Sequence, residues 1–93
     1  MIRSFACEET EDIFNQKVSR KFPYEIQRRA HMKLMLIHGS MNIQALKVPP
    51  SNRLEVLKGN RKGQYSIRIN DQYRICFKWE NGNAESVEIV DYH

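Results

Sequence analysis

Apolar residues in the first half of the chain recur with the period of an α-helix. Between Pro23 and Gly39 they are spaced by four, four and three residues, at Ile26, Ala30, Leu34 and Ile37. This spacing puts them on one face of a helix, where they can pack against a core. Proline suits the first turn of a helix and glycine suits the position just after its end, so we predict a helix bounded by Pro23 and Gly39.

Two shorter elements precede this helix. The apolar-rich opening at Ile2–Phe5 predicts a strand. The acidic cluster at residues 8–12 suits the positive N-terminal end of a helix, because carboxylates are stabilised there. We expect the residues of this first helix that face the core to be Ile13, Phe14 and Val18. The basic residues expected to complement the negative carboxyl end of the helix are Lys17, Arg20 and Lys21.

The second half of the chain changes to an alternation of period two, which is typical of β-strands. Residues 40–46 predict a short helical turn, and two prolines follow it. Apolar and polar residues then alternate at 65–70 and at 73–79. The pair Asn81-Gly82 favours a tight reversal into a strand at 86–90, and residues 54–58 predict one more strand. We therefore predict a single domain spanning residues 1–93, with an α+β fold in which two N-terminal helices pack on one face of an antiparallel β-sheet.

The side chains of a strand alternate between the two faces of its sheet. On this pattern the residues that pack on the helices are Tyr65, Ile67, Ile69, Tyr73, Ile75, Phe77 and Trp79. The opposite face then carries Arg68, Arg74 and Lys78, with Cys76 as a small filler among them. Antiparallel sheets often leave one face in solvent, so we expect a solvated, cationic face.

Charge is distributed unevenly along the chain, whose formal net charge is +4. Residues 1–16 hold one basic and four acidic side chains, for a net charge of −3, and residues 79–93 hold four acidic side chains and no Lys or Arg. Residues 17–78 hold 14 basic and three acidic side chains, for a net charge of +11. This basic segment favours contact with a polyanion, because phosphate contacts supply most sequence-independent affinity for nucleic acid. An ordinary solvated surface is the alternative.

The sequence gives little support for a metal or phosphate-loop site. His31 and His38 lie seven residues apart on the predicted helix, but no Cys/His cluster with zinc spacing accompanies them, so we predict no metal site and no cofactor. The segment Gly59–Gly63 lacks the Gly-Lys-Ser/Thr ending of a phosphate-binding loop. It is predicted to be a turn that exposes Arg61 and Lys62 at its tip for contact with nucleic acid.

The compartment follows from the cysteines and the apolar runs. Cys7 and Cys76 fit the reduced thiols of a cytoplasmic protein, although their number alone also permits one disulfide. The first ten residues lack the apolar segment of a secretory signal, and the longest apolar run, Leu34–Ile37, is far too short to span a membrane. We therefore expect a cytoplasmic protein with no membrane partner.

The chain ends in Asp91-Tyr92-His93, directly after a predicted strand. A polar ending without function is the simplest interpretation, but these groups would lie beside the cationic sheet face. Cleavage of RNA without a metal needs a base to deprotonate the 2′-hydroxyl, cations to stabilise the phosphorane, and an acid for the leaving 5′-oxygen. Histidine has the unperturbed side-chain pKa nearest neutrality, so His93 can act as base or acid. The residues that can hold the phosphate are Lys58, Arg68 and Arg74.

Taken together, these residues resemble the HigB toxins of type II toxin–antitoxin modules, in the RelE/ParE superfamily. The resemblance covers nearly the whole chain. It rests on residues 1–5 (MIRSF), 57–70 (LKGNRKGQYSIRIN), 73–77 (YRICF) and 90–93 (VDYH). The loop or the ending alone is limited evidence, whereas all four segments in this order are specific.

The resemblance implies a RelE-like (microbial-RNase-like) fold and a metal-independent endoribonuclease. Such a toxin enters the A site of the small (30S) ribosomal subunit, cuts the messenger RNA there and inhibits translation. Its partner would be a HigA-type antitoxin, through which it would reach operator DNA only indirectly. By similarity the catalytic positions are Lys58, Arg74, Asp91, Tyr92 and His93, and the basic residues expected to bind the RNA backbone are Arg61, Lys62, Arg68 and Lys78. Glu55 departs from relatives with a histidine at this point of the strand, so no acid or base role is assigned to it.

Two other functions stay open on the sequence. A ParE-like inhibitor of DNA gyrase would share the fold but act by protein binding, and the ending of this chain argues against it. A non-catalytic RNA-binding module would need aromatic side chains on which bases can stack. The candidates alternate with the polar positions, which favours core packing instead: Tyr65, Tyr73 and Trp79.

Overall fold

The helical stripe and the alternating segments form the two layers of the protein. A computed structural model describes residues 1–92. Within these residues lie the helices α1 (Glu8–Phe14) and α2 (Tyr24–Gly39) and the strands β1 (Glu55–Val56), β2 (Gln64–Arg68), β3 (Tyr73–Glu80) and β4 (Asn83–Asp91). Short 3₁₀ turns occupy Ile43–Lys47, Pro50–Asn52 and Gly59–Arg61.

The four strands form one antiparallel sheet in the order β1-β2-β3-β4. In the hairpin of β2 and β3, Ser66 lies opposite Cys76 and Arg68 lies opposite Arg74. On the other side of β3, Glu88 of β4 lies opposite Cys76. This register brings polar residues from three strands to the same face of the sheet, because directly opposed residues point the same way.

The connections follow the predicted turn chemistry. Asn81 and Gly82 both have positive φ (51° and 78°), as the tight turn of a two-residue hairpin requires. The strand expected at Ile2–Phe5 is present only as two isolated parallel bridges to β4. Neither helix within residues 1–92 is long and apolar enough to cross a membrane.

Both helices pack on one face of the sheet, as predicted. The stripe of α2 is buried, with no exposed surface on Ala30, Leu34 or Ile37. The sheet residues predicted to face the helices belong to the same core, or pack at its edge: Tyr65, Ile67, Ile69, Tyr73, Ile75, Phe77 and Trp79. These contacts confirm both the α+β fold and the assignment of faces to the apolar strand positions.

The first helix is shorter than predicted. α1 ends at Phe14, and Gln16 has a left-handed backbone conformation (φ 62°) that stops the helix. Val18 is therefore 70% exposed, so the prediction that it faces the core was wrong. The last turn of α1 contains no basic residue. The prediction that Lys17, Arg20 and Lys21 complement the carboxyl end of this helix was therefore also wrong.

Two strands also have different bounds. The strand expected at residues 54–58 is limited to the two residues of β1, and β4 begins at Asn83 rather than at Ser86. Ser86 has a positive φ (53°), and the register of β4 shifts between Cys76 and Lys78 of β3. This irregularity is a β-bulge, which inserts one extra residue and changes the face to which the later side chains of β4 point.

Candidate active site on the sheet face opposite the helices

In each of the four strands, every second side chain points to the side of the sheet that faces away from α1 and α2. We call this side of the sheet the site face. Its central side chains are Glu55, Ser66, Arg74, Cys76 and Glu88. Ser66 and Cys76 have no exposed surface, and Arg74 is only 8% exposed. The expectation of a solvated, cationic face was therefore wrong at the centre of the face, where neighbouring groups cover the sheet.

Arg74 is held in one orientation by its neighbours. Its Nε donates to the Ser66 hydroxyl at 2.8 Å, and its Nη2 donates to the Arg53 carbonyl at 2.5 Å and to the Ser66 carbonyl at 3.3 Å. A carboxylate oxygen of Glu55 lies 4.0 Å from Nη1. A guanidinium fixed in this way can receive a phosphate without first losing side-chain freedom.

Arg61 forms a second cationic group over the same face. It ends the 3₁₀ turn that connects β1 to β2, and its Nη1 lies 2.8 Å from Glu88 Oε1 and donates to Gln64 Oε1 at 3.2 Å. The hydrogen bond to Glu88 raises the pKa of the Arg61 guanidinium above its ordinary value. Arg61 is thus half-buried and paired, which corrects its predicted exposure at the tip of the turn, whereas Lys62 is exposed as expected.

Tyr92 packs over Cys76 on the site face. The Tyr92 hydroxyl lies 4.0 Å from the buried Cys76 Sγ. Burial raises the pKa of the Cys76 thiol, and the nearby Arg61 offsets part of that rise. Burial also raises the pKa of Tyr92, and the Cys76 thiol adds to the effect. The phenol therefore stays protonated at neutral pH and can donate a hydrogen bond to a phosphate oxygen.

Lys58 and Lys78 are both exposed. Lys58 is the residue before the 3₁₀ turn that carries Arg61. Lys78 lies opposite Gln64 of β2 and Glu85 of β4. Their predicted contacts with phosphate remain predictions.

Arg68 departs from the arrangement expected for it. Its Cα lies opposite that of Arg74, but its guanidinium forms an ion pair with Asp71 in the β2–β3 turn. It lines a groove beside α2, together with Arg29 and Lys33. Burial, followed by the charges of Arg29 and Arg68, lowers the pKa of Lys33. The prediction that Arg68 leaves the sheet together with Arg74 was therefore wrong for its charged end, because the adjacent turn supplies a carboxylate.

The C-terminal residues are described only in part. Asp91 lies opposite Tyr73, a core-side residue, and its Oδ2 accepts a hydrogen bond from Gln72 Nε2 at 3.1 Å. Strand alternation therefore directs Asp91 and Tyr92 to different faces. His93 lies outside the described residues, so its predicted position beside Lys58 and Arg74 stays a prediction.

The other histidines and the cysteines have structural contacts. His38 Nδ1 accepts the backbone N–H of Ile2 at 3.1 Å, and His31 Nδ1 lies 3.1 Å from the Ile13 carbonyl. Cys7 and Cys76 are free thiols. Among residues 1–92, no three His, Cys, Asp or Glu side chains converge in an arrangement that could hold a metal ion.

Sequence reasoning missed Ser66 and Glu88. Ser66 was visible as a polar position alternating with Tyr65 and Ile67, but its role needs the register that sets it opposite Cys76. Glu88 follows Val87 at a point where the apolar residues of β4 are spaced by three and then two residues, and this irregular spacing was the available signal of a bulge.

The aromatic residues of the sheet pack as predicted. The Tyr65 and Phe77 rings stack with centroids 6.3 Å apart, and Trp79 meets Phe77 edge-on at the same distance. Phe22 packs edge-on against Tyr73 with centroids 5.9 Å apart. These rings stabilise the core, so they are not the stacking platform that a non-catalytic RNA-binding module would need.

Comparisons with known proteins agree on one family. A model of the HigB-like toxins, described as RelE-like toxins of the type II toxin–antitoxin system HigB, matches residues 3–93. The chain is 40% identical over 70 residues to "Toxin HigB-1" of Vibrio cholerae, covering 75% of this chain and 74% of that protein. It is 32% identical over 98 residues to "Endoribonuclease HigB" of Proteus vulgaris, covering all of both chains.

Solved structures show the same architecture. A chain of the YoeB–YefM complex from Staphylococcus aureus superposes with a TM-score of 0.61 at 22% identity, covering all of this chain and 98% of that one. A heterotetrameric YoeB–YefM toxin–antitoxin complex from the same organism gives a TM-score of 0.58, also at 22% identity. At this identity the likeness establishes the fold, and it confirms the RelE-like α+β architecture.

Proposed function

The chain belongs to the HigB-like toxin family, the RelE-like toxins of type II toxin–antitoxin systems, and on that premise we propose that this endoribonuclease cuts messenger RNA in the A site of the translating ribosome without a catalytic metal. The observation that carries the proposal is the fixed guanidinium of Arg74, hydrogen-bonded to Ser66 and Arg53 on a face that also carries Arg61 and the Tyr92 hydroxyl.

The proposed reaction is an in-line attack by the 2′-hydroxyl of the message. A base takes the proton from the 2′-oxygen, which bonds to phosphorus, and the bond to the 5′-oxygen breaks as an acid protonates that oxygen. Negative charge grows on the phosphate oxygens between these events. Arg74 and Lys58 stabilise that charge, since preorganised cations are worth most where charge develops. Tyr92 donates a hydrogen bond to a phosphate oxygen, and His93 transfers a proton. Asp91 lies on the other face of the sheet, so its role is limited to fixing the end of β4 through the hydrogen bond that it accepts from Gln72.

The remaining basic residues bind the RNA backbone. Arg61 and Lys78 lie on the site face, Lys62 directly follows Arg61 in the chain, and Arg68 lies beside α2. Such contacts are sequence-independent and weaken as salt concentration rises. We therefore assign them to holding the message and ribosomal RNA rather than to proton transfer.

Ribosome dependence has a physical reason in this proposal. A site built from cations, one phenol and one proposed histidine has modest catalytic power alone, and RNA in solution seldom adopts the in-line geometry that attack requires. Holding a reactant in its reacting geometry can lower a barrier by roughly 7–11 kcal/mol. The ribosome would supply that geometry by holding the message in the A site, while the basic segment 17–78 docks on ribosomal RNA.

The partner is an antitoxin, which we propose to be of the HigA type, acting in the cytoplasm. The solved complexes with the same fold are toxin–antitoxin assemblies, which supports an antitoxin partner. Contact with operator DNA would then run through the antitoxin alone.

The test uses purified chain and ribosomes programmed with a message whose A-site codon is known. We expect cleavage within that codon, leaving a 2′,3′-cyclic phosphate and a 5′-hydroxyl, and no cleavage of the same message without ribosomes. A matched message with a 2′-deoxynucleotide before the cut should stay intact. Cleavage of the deoxy message would contradict attack by the 2′-hydroxyl, and equal cleavage of free message would contradict ribosome dependence.

A further inference from the structure

Glu88 lies at the centre of the site face but has no part in the reaction proposed above. It is opposite Cys76 in the sheet, and its Oε1 is 2.8 Å from Arg61 Nη1. The Glu88 and Arg61 side chains are 26% and 32% exposed. A carboxylate at this place repels a phosphate group, so its position needs an explanation.

The bulge at Ser86 puts Glu88 on this face. Ala84 lies opposite Trp79 on the core side, and strict alternation from Ala84 would direct residue 88 to the core. The extra residue at Ser86 reverses that direction, and the Ser86 N–H donates to the Ser4 hydroxyl at 2.9 Å. The carboxylate is therefore brought beside Arg61 by a specific irregularity of the strand.

The Glu88 carboxylate holds the Arg61 side chain in its position over the site face. It is carried by a 3₁₀ turn of three residues, Gly59–Arg61, and its guanidinium is oriented by Glu88 and by the amide oxygen of Gln64. The paired guanidinium is close enough to Cys76 and Tyr92 to influence the pKa of both groups. Arg61 thus lies over the floor of the site rather than in solvent.

A phosphate can replace the carboxylate as the partner of Arg61. Carboxylate and phosphate both accept two parallel N–H bonds from a guanidinium, so one anion can be exchanged for the other without moving the arginine. The ion pair that is lost is partly exposed, and such pairs are weak enough to be exchanged.

We propose that Glu88 is a positioning residue that holds Arg61 over the site face in the free protein and gives way to an RNA phosphate when the message binds. This inference rests on the proposed function, because it assumes that RNA occupies the site face. It means that Glu88 lowers the affinity for RNA, and that the Arg61 guanidinium already lies where it can bind the phosphate.

The experiment measures binding of a fluorescent single-stranded RNA, blocked against cleavage by 2′-methoxy groups, as a function of salt concentration. Glu88→Gln keeps an acceptor for Arg61 but removes the competing charge. We expect it to lower Kd by roughly two- to fivefold, the worth of a partly exposed ion pair, and to leave the salt slope unchanged. Arg61→Ala should raise Kd and reduce the slope of log Kd against log salt by about 0.7, the contribution of one contact to single-stranded nucleic acid.

Two further variants separate the role of Glu88 from a general charge effect. Glu11→Gln makes the same change of charge at an exposed position of α1, on the other face of the sheet from the site face, and should leave Kd within experimental error of the parent. In the double variant Arg61→Ala/Glu88→Gln the gain in affinity should disappear. Thermal denaturation of each variant shows that it is folded.

The inference is overturned if the parent binds RNA while Glu88→Gln binds no more tightly. It also fails if Glu11→Gln gives the same gain, or if the gain survives in the Arg61→Ala background. A parent chain that does not bind the RNA at any salt concentration contradicts the proposed RNA-binding face instead, so the two failures are distinguishable.

Discussion

The substitution Ser66→Ala tests whether Arg74 is held by the sheet. It removes the hydroxyl that accepts a hydrogen bond from the Nε–H of Arg74 at 2.8 Å. Ser66 has no exposed surface, so water cannot easily replace the lost acceptor. The hydrogen bonds from Nη2 to the Arg53 and Ser66 carbonyls remain. A hydrogen bond to a charged group contributes about 1.5–3 kcal/mol, so the free energy of unfolding should fall by about 1.5 kcal/mol or more.

That loss is large enough to measure by thermal denaturation. For a domain of this size, 1 kcal/mol shifts Tm by about 4–8 °C, so Ser66→Ala should lower Tm by at least about 6 °C. Ser51→Ala, at an exposed position, is the control and should leave Tm nearly unchanged. Cleavage in programmed ribosomes should also slow for Ser66→Ala, because Arg74 gains freedom. A Tm within about 2 °C of the parent would refute the argument that Ser66 fixes Arg74.

Other substitutions test the remaining parts of the site. Arg74→Ala and Lys58→Ala should each relieve growth arrest at matched expression, since each removes a cation from the phosphate site, and unchanged toxicity of both would contradict their assignment. His93→Gln should also relieve growth arrest without changing Tm, whereas a fully toxic variant would exclude His93 from proton transfer. Burial raises the pKa of the Cys76 thiol and leaves it without exposed surface, so the partly exposed Cys7 should react first with a thiol reagent. Equal rates for both thiols in the folded protein would contradict the buried site.

The sequence was sufficient for the layers of the fold because burial leaves periodic signals. The stripe from Ile26 to Ile37 and the alternation around Ile67 and Ile75 each place apolar groups on one face, and water exclusion then determines which faces meet. The end of α1 left no such signal. It depends on the left-handed conformation of Gln16, which spacing alone does not indicate.

The site was less predictable because its contacts are set by register and by competition among partners. Arg74 was identified from alternation, but the Ser66 hydroxyl that holds it lies eight residues earlier, on the paired strand. Arg68 had the same signal as Arg74 and pairs instead with Asp71, three residues away. Glu88 reaches the site face only through a bulge, which moves it from the core side of the strand.

Primer extension on messages from cells induced for this chain tests most directly whether the site face cuts RNA on the ribosome. The account predicts new 5′ ends that fall in frame within codons and disappear when translation initiation is blocked or when Arg74→Ala replaces the parent. Growth arrest with uncut messages, or cuts that fall out of frame and persist on untranslated RNA, would contradict it.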